Sequence, residues 1–198
     1  MKIIGYFKRM RLFTISTCLC AAIVSLTGAQ APAPAIRGPE YKPLEALVGV
    51  WRLEGMLKAM PALGITDAGP VTYTHVNRMI NGGFFLETRR TGTGPRGEVN
   101  ELFLYSYNPA TKTYRQDGYG NRGMLRSFTG TIDGQIWTFN GTNTPLAGDG
   151  TQERFTLVYS PDMSSATVRS EHSRGGVDWF ERMTGRYTKV SATVPPGS

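Results

Sequence analysis

Over residues 49–58 the side chains alternate with a period of two. Gly49, Trp51, Leu53, Gly55 and Leu57 fall on one side, and Val50, Arg52, Glu54, Met56 and Lys58 on the other. Successive Cβ atoms point to opposite faces of a strand, so this pattern specifies a half-buried β-strand. A large aromatic near its start, set between small residues, suits plugging one end of a barrel. The preceding Leu44-Glu45-Ala46-Leu47-Val48 reads as a short helical turn. Pro43 can open that turn, because its missing N–H falls in the first turn, where it costs nothing.

The rest of the chain repeats the strand pattern at short intervals. Residues 61–69 are rich in breakers, and residues 71–80 form a strand closed by the hairpin signal Asn81-Gly82-Gly83. Residues 84–91 return, residues 92–97 read as an open loop, and residues 98–107 place Phe103, Tyr105 and Tyr107 on one face. Residues 113–119 follow a turn at 108–112. Residues 125–132 and 135–140 flank Asp133-Gly134, another two-residue hairpin signal. Residues 152–159 and 166–173 join through Ser160-Pro161-Asp162, and a strand over 177–188 closes the series. No run keeps a helical period over three turns. Sandwiches use long crossovers, whereas these connections are mostly hairpins. The expected fold is therefore all-β: an antiparallel up-and-down barrel of about ten strands with a short N-terminal helical turn.

The N-terminus is of another kind. Lys2, Lys8, Arg9 and Arg11 precede an apolar run over 12–26, and Ala29-Gln30-Ala31 follows. That order reads as a secretory signal peptide over 1–31, with an apolar run too short and interrupted for a spanning helix. Removing 31 of the 198 residues leaves 167, takes away Cys18 and Cys20, and lowers the formal charge from +7 to +3. A periplasmic or secreted protein without cysteine must rely on its core rather than on disulfides. Residues 32–42 read as a flexible lead-in, 43–190 as the barrel domain and 191–198 as a disordered tail. The remaining basic residues form no run, so nucleic acid is not an expected partner. Stable membrane insertion after cleavage is not expected either, and the oligomeric state is left open.

Leu44, Leu47, Gly49, Trp51 and Gly55, the run Asn81-Gly82-Gly83-Phe84 and the turn Ser173-Arg174-Gly175-Gly176-Val177-Asp178-Trp179 carry a resemblance. Together they resemble an uncharacterised bacterial family of exported calycin-type barrels, similar to lipocalins and to nitrobindin-like haem barrels. The resemblance implies a barrel with an internal pocket for an apolar or amphipathic ligand. It also implies that Trp51 packs against an arginine of the last strand, Arg182 or Arg186. Two departures argue against haem. Leu53 stands where the nitrobindin-like motif Gly-x-Trp-x-Gly-x-Gly has its middle glycine, and residues 177–188 hold no histidine. No cofactor is expected.

Chemistry-bearing residues are few. A zinc site needs three or four ligands at suitable spacing, and His75 and His172 are the only histidines, so no metal is expected. A two-residue turn at Gly175-Gly176 puts His172 opposite Trp179 and Ser170 opposite Glu181. A three-residue turn instead pairs Arg169 with Glu181 and His172 with Asp178, and the matching of charges favours it. Glu98 and Glu101, with Arg115 and Asp117 on the next strand, are the densest charged group. They read as a cross-strand ion-pair ladder before they read as paired acid and base. The candidate ligand-binding residues are Trp51, Tyr73, His75, Phe103, Tyr105, His172 and Glu181. The function expected is binding of a small apolar or amphipathic ligand inside the barrel. The alternatives are an enzyme using His172 or Glu98/Glu101 as acid or base, and a filled barrel with a structural role.

Overall fold

The computed structural model describes residues 36–144 and 151–195. The segment expected to be a signal peptide, both cysteines, the first residues of the expected lead-in and the last three of the expected tail lie outside them. Ten antiparallel strands close into one barrel in sequence order, β1 pairing with β10. They are β1 (Gly49–Leu57), β2 (Gly69–Ile80), β3 (Phe85–Gly94), β4 (Gly97–Asn108) and β5 (Thr113–Gly120), then β6 (Leu125–Asp133), β7 (Ile136–Thr144), β8 (Thr151–Tyr159), β9 (Ser165–Arg174) and β10 (Trp179–Ser191). Full closure leaves no sheet edge exposed.

The connections at both ends of β3 differ from the sequence reading. Residues 92–97 are not an open loop: β3 and β4 continue to Gly94 and Gly97, which pair across Pro95-Arg96. Asn81-Gly82-Gly83 forms a 3-10 turn with all three residues at positive φ. Ile80 pairs with Phe85, so this turn spans four residues rather than the three between the expected strands.

One barrel end is plugged. Helix α1 (Lys42–Ala46) and the 3-10 turn Pro39–Tyr41 lie across it. Side chains from the barrel wall hold the plug through its backbone carbonyls. Trp51 Nε1 donates to Leu47 O at 2.8 Å, and Asn77 Nδ2 to the same oxygen at 3.0 Å. Lys189 Nζ donates to Ala46 O at 2.8 Å, and Tyr114 OH to Glu40 O at 2.7 Å. These bonds satisfy carbonyls that a short helix leaves open. Leu44 is fully buried, and Tyr41 packs edge-on against Phe84 and Tyr107 at 5.5 and 6.0 Å. Tyr41, within the expected lead-in, is part of the core.

Trp51 plugs this end, but its cationic neighbour is Lys189, 5.2 Å from the ring centroid and opposite it in the β1–β10 register. Arg186 points outward to Ser165, and Arg182 lies at the far end of the barrel. Behind the plug the barrel is filled by aromatic rings. Trp137 contacts Tyr159 at 5.0 Å, Phe139 stacks on Phe155 at 5.0 Å, and Phe128 meets Phe155 edge-on at 5.2 Å.

Candidate functional site

The other end is open and holds a cavity of about 310 Å3. The β3–β4 and β5–β6 turns, the end of β1 and the start of β10 form its rim. Apolar wall comes from Leu57, Val99, Met124 and Met183. The strand period sets the floor: Arg90 on β3, Glu101 on β4, Arg126 on β6 and His172 on β9 all occupy inward positions.

Arg90 is the central side chain. Its guanidinium pairs with Glu101 and lies between the rings of Tyr73 and Phe103, 4.8 and 4.7 Å from their centroids. Both rings offer their faces to the cation. Its Nε is buried without a hydrogen-bond partner. Burial, and then the neighbouring charge of Arg126, hold this guanidinium below its ordinary value. At the rim Asp67 bridges Arg96 and Arg182, and Arg182 also donates to the carbonyls of Lys58 and Asp67. Burial raises the Asp67 carboxyl, but the bonds from Arg96 and Arg182 outweigh it and the net shift is downward.

His172 lies in the cavity wall, its Nε2 3.6 Å from Glu153 Oε2, opposite it on β8. His75 lies deeper, in a space of about 30 Å3 shared with Trp51, Asn77, Tyr105 and Tyr187. Burial first, and the Arg90 charge second, hold His75 well below its ordinary value, so the imidazole is neutral. Its Nε2 has no hydrogen-bond partner among the described residues, and its ring meets Tyr187 edge-on at 5.0 Å.

The candidate residues therefore separate into four places. Tyr73 and His172 line the open cavity, while Trp51, His75 and Tyr105 surround the small deep space. Phe103 lines neither: its ring fills the room left by Gly118, beneath Arg90. Glu181 is not in the interior. It faces outward and pairs with Lys58 and Arg169.

Neither expected register of the last hairpin is found. His172 pairs with Phe180 and Glu181 with Glu171, and a bulge at Arg182 then brings Met183 opposite Ser170. Five residues span the turn, with Gly175 and Gly176 at positive φ and Trp179 Nε1 donating to Gly176 O at 3.1 Å. The bulge turns Arg182 toward the rim. Arg169 and Glu181 still meet, at 2.8 Å, along a diagonal.

Glu98 and Glu101 do not form a pair, because residues three apart on a strand face opposite sides. Glu98 is exposed and Glu101 buried, and Arg115 pairs with Asp117 on its own strand. Among the described residues no group of three or more His, Cys, Asp or Glu could hold a metal ion. Arg90 and Arg126 were absent from the candidates. Their signal is a charged side chain at an inward position of its own strand.

The sequence profile of a family described as "Protein of unknown function (DUF1579)" matches residues 37–189. No curated protein matches the chain. Among solved structures it is similar to Rv2717c from M. tuberculosis, with a TM-score of 0.57 at 14% identity. That match covers 78% of this chain and 99% of the other. At such identity the likeness shows a common fold.

Proposed function

We propose, on the premise that the chain belongs to DUF1579, a family of proteins of unknown function, that it binds one small apolar or amphipathic molecule at the open end of the barrel. The observation carrying this reading is the cavity of about 310 Å3, with apolar walls and a few convergent polar groups. Ligand sites have this size and character. The His172–Glu153 pair favours an enzymatic alternative, since a carboxylate beside an imidazole can orient a general base. At 3.6 Å the two groups are not hydrogen-bonded, so the carboxylate does not orient the imidazole as a general base requires. Binding is the better-supported reading.

Native mass spectrometry of the protein purified from its own host tests it. A retained small molecule is expected in the parent, and its loss in Val99→Trp, which fills the cavity. A parent without any retained mass, or a Val99→Trp protein that keeps it, would contradict the reading.

We also infer export to the periplasm or medium, supported by the order of charged, apolar and small residues over 1–31. The intact mass of protein from the cell envelope should correspond to a chain beginning within a few residues of Pro32. A chain that keeps Met1 and stays in the cytoplasm would refute it.

A further inference from the structure

We propose that the ligand is an anionic amphiphile, its carboxylate held by Arg126 beside Arg90 and its apolar part lying against the cavity wall. This rests on the binding reading above and names the chemical class it takes.

The balance of charge is the first ground. Five guanidiniums face the cavity, from Arg90, Arg96, Arg122, Arg126 and Arg182, against the carboxylates of Asp67 and Glu101, an excess of three positive charges. Counting Glu153, which stands by His172, still leaves an excess of two. The carboxylates are also occupied: Glu101 pairs with Arg90, and Asp67 bridges Arg96 and Arg182.

Arg126 is the second ground. It faces inward with Phe128 and Gly130 of β6. Its Nε meets only the Met124 sulfur, at 3.3 Å, and it has no carboxylate partner among the described residues. Among the described residues Arg122 at the rim is held by main-chain carbonyls alone, those of Arg96 and, at 2.9 Å, Glu98.

The third ground is the proximity of like charges. Arg90 and Arg126 line one cavity on either side of Phe103: the Arg90 guanidinium lies 4.7 Å from the ring centroid, and the ring and the Arg126 Cβ both crowd Gly118. Among the described residues the buried Arg90 Nε has no acceptor. Two cations in a low-dielectric interior repel each other strongly. A carboxylate placed between them relieves that repulsion, and the planar guanidinium fork fits it with two parallel bonds. Leu57, Val99, Met124 and Met183 leave apolar surface beside this point, which a bare inorganic anion would not cover. Met124 and Met183 are adaptable side chains suited to tails of varied shape.

Calorimetric titration of the protein with hexanoate and decanoate, beside hexanol, decanol and decylammonium, tests the assignment. Decanoate should bind at least about ten-fold tighter than decanol, and decylammonium most weakly, since charge-assisted hydrogen bonds distinguish them. Arg126→Met should lower decanoate affinity about ten- to a hundred-fold and leave decanol within about two-fold. Arg126→Gln, which keeps hydrogen-bonding groups without the charge, should show the same loss, and Arg126→Lys should recover part of it. Equal binding of decanol and decanoate, or unchanged decanoate binding in both Arg126→Met and Arg126→Gln, overturns the anion assignment and leaves the binding function standing. Failure of every amphiphile to bind overturns the binding function itself.

Discussion

Along a single strand, the inner face of the barrel changes chemistry from one end to the other. On β4 it runs Tyr107, Tyr105, Phe103, Glu101 and Val99 from the plugged end to the open one, and on β6 Gly130, Phe128 and Arg126. On β8 it runs Tyr159, Leu157, Phe155 and Glu153. The plugged end spends its inward positions on rings that touch one another and on carbonyls satisfied by Trp51, Asn77 and Lys189. The open end spends them on guanidiniums that outnumber their carboxylates around a cavity. Alternation decides which side chains point inward. The gradient along the inward face decides where packing ends and a site begins.

Substitutions at the two ends should therefore separate stability from binding. The largest effect belongs to the plugged end. Trp51→Ala removes a buried indole and its bond to Leu47, and should cost about 3–5 kcal/mol in denaturant titration. A Trp51→Ala protein as stable as the parent would mean the plug is not structural.

The next effect lies between the ends, at His75. Its folded-state pKa lies below the unfolded value of 6.5, so the unfolded chain binds the extra proton. This contribution to stability is complete above pH 6.5 and falls as pH drops below it, by up to about 1.4 kcal/mol per unit. His75→Gln should flatten that limb in denaturant midpoints measured between neutral and mildly acid pH. An unchanged limb would place the titrating group elsewhere.

Smaller again is the coupling between Trp51 and Lys189. Lys189→Met should cost about 0.5–1 kcal/mol less in a Trp51→Ala background than in the parent, because the cation–ring contact is then already lost. Strict additivity over the four proteins would dismiss the contact. The smallest effect is at the open rim. Asp67 has a lowered pKa, so its contribution is present above pH 3.8 and lost as pH falls through the lower folded value. Asp67→Asn should remove that slight acid sensitivity, and should shift the midpoint by less than any change above, because the amide oxygen can still accept from Arg182 and the Arg96 side is solvent-screened.

Most of the fold was legible because alternation and turn chemistry agree strand by strand, from Gly49 to the last hairpin. The β3–β4 connection was not, since Gly92, Gly94 and Gly97 resemble loop breakers while the strands run through them to a tight Pro95-Arg96 turn. The register of β9 on β10 was not legible either. It depends on a bulge at Arg182 and a five-residue turn, and no local pattern announces those. Glu181 followed the register and left the interior with it. The site was half legible. Tyr73 and His172 stand where inward alternation puts them, but aromatic residues draw attention as pocket lining when most of them fill the plugged end. Grouping Glu98 with Glu101 by closeness in sequence overlooks the strand period that separates them. The same period applied to charged residues places Arg90, Glu101 and Arg126 on the inner face.

Amide hydrogen exchange with and without saturating decanoate tests most directly whether the open end is the site and the plugged end its support. Added protection should appear in the β3–β4 and β5–β6 turns and at the start of β10, with none in α1 or the β2–β3 turn. Protection centred on α1 and the β2–β3 turn, with the open end unchanged, would contradict the division of the barrel into a packed end and a binding end.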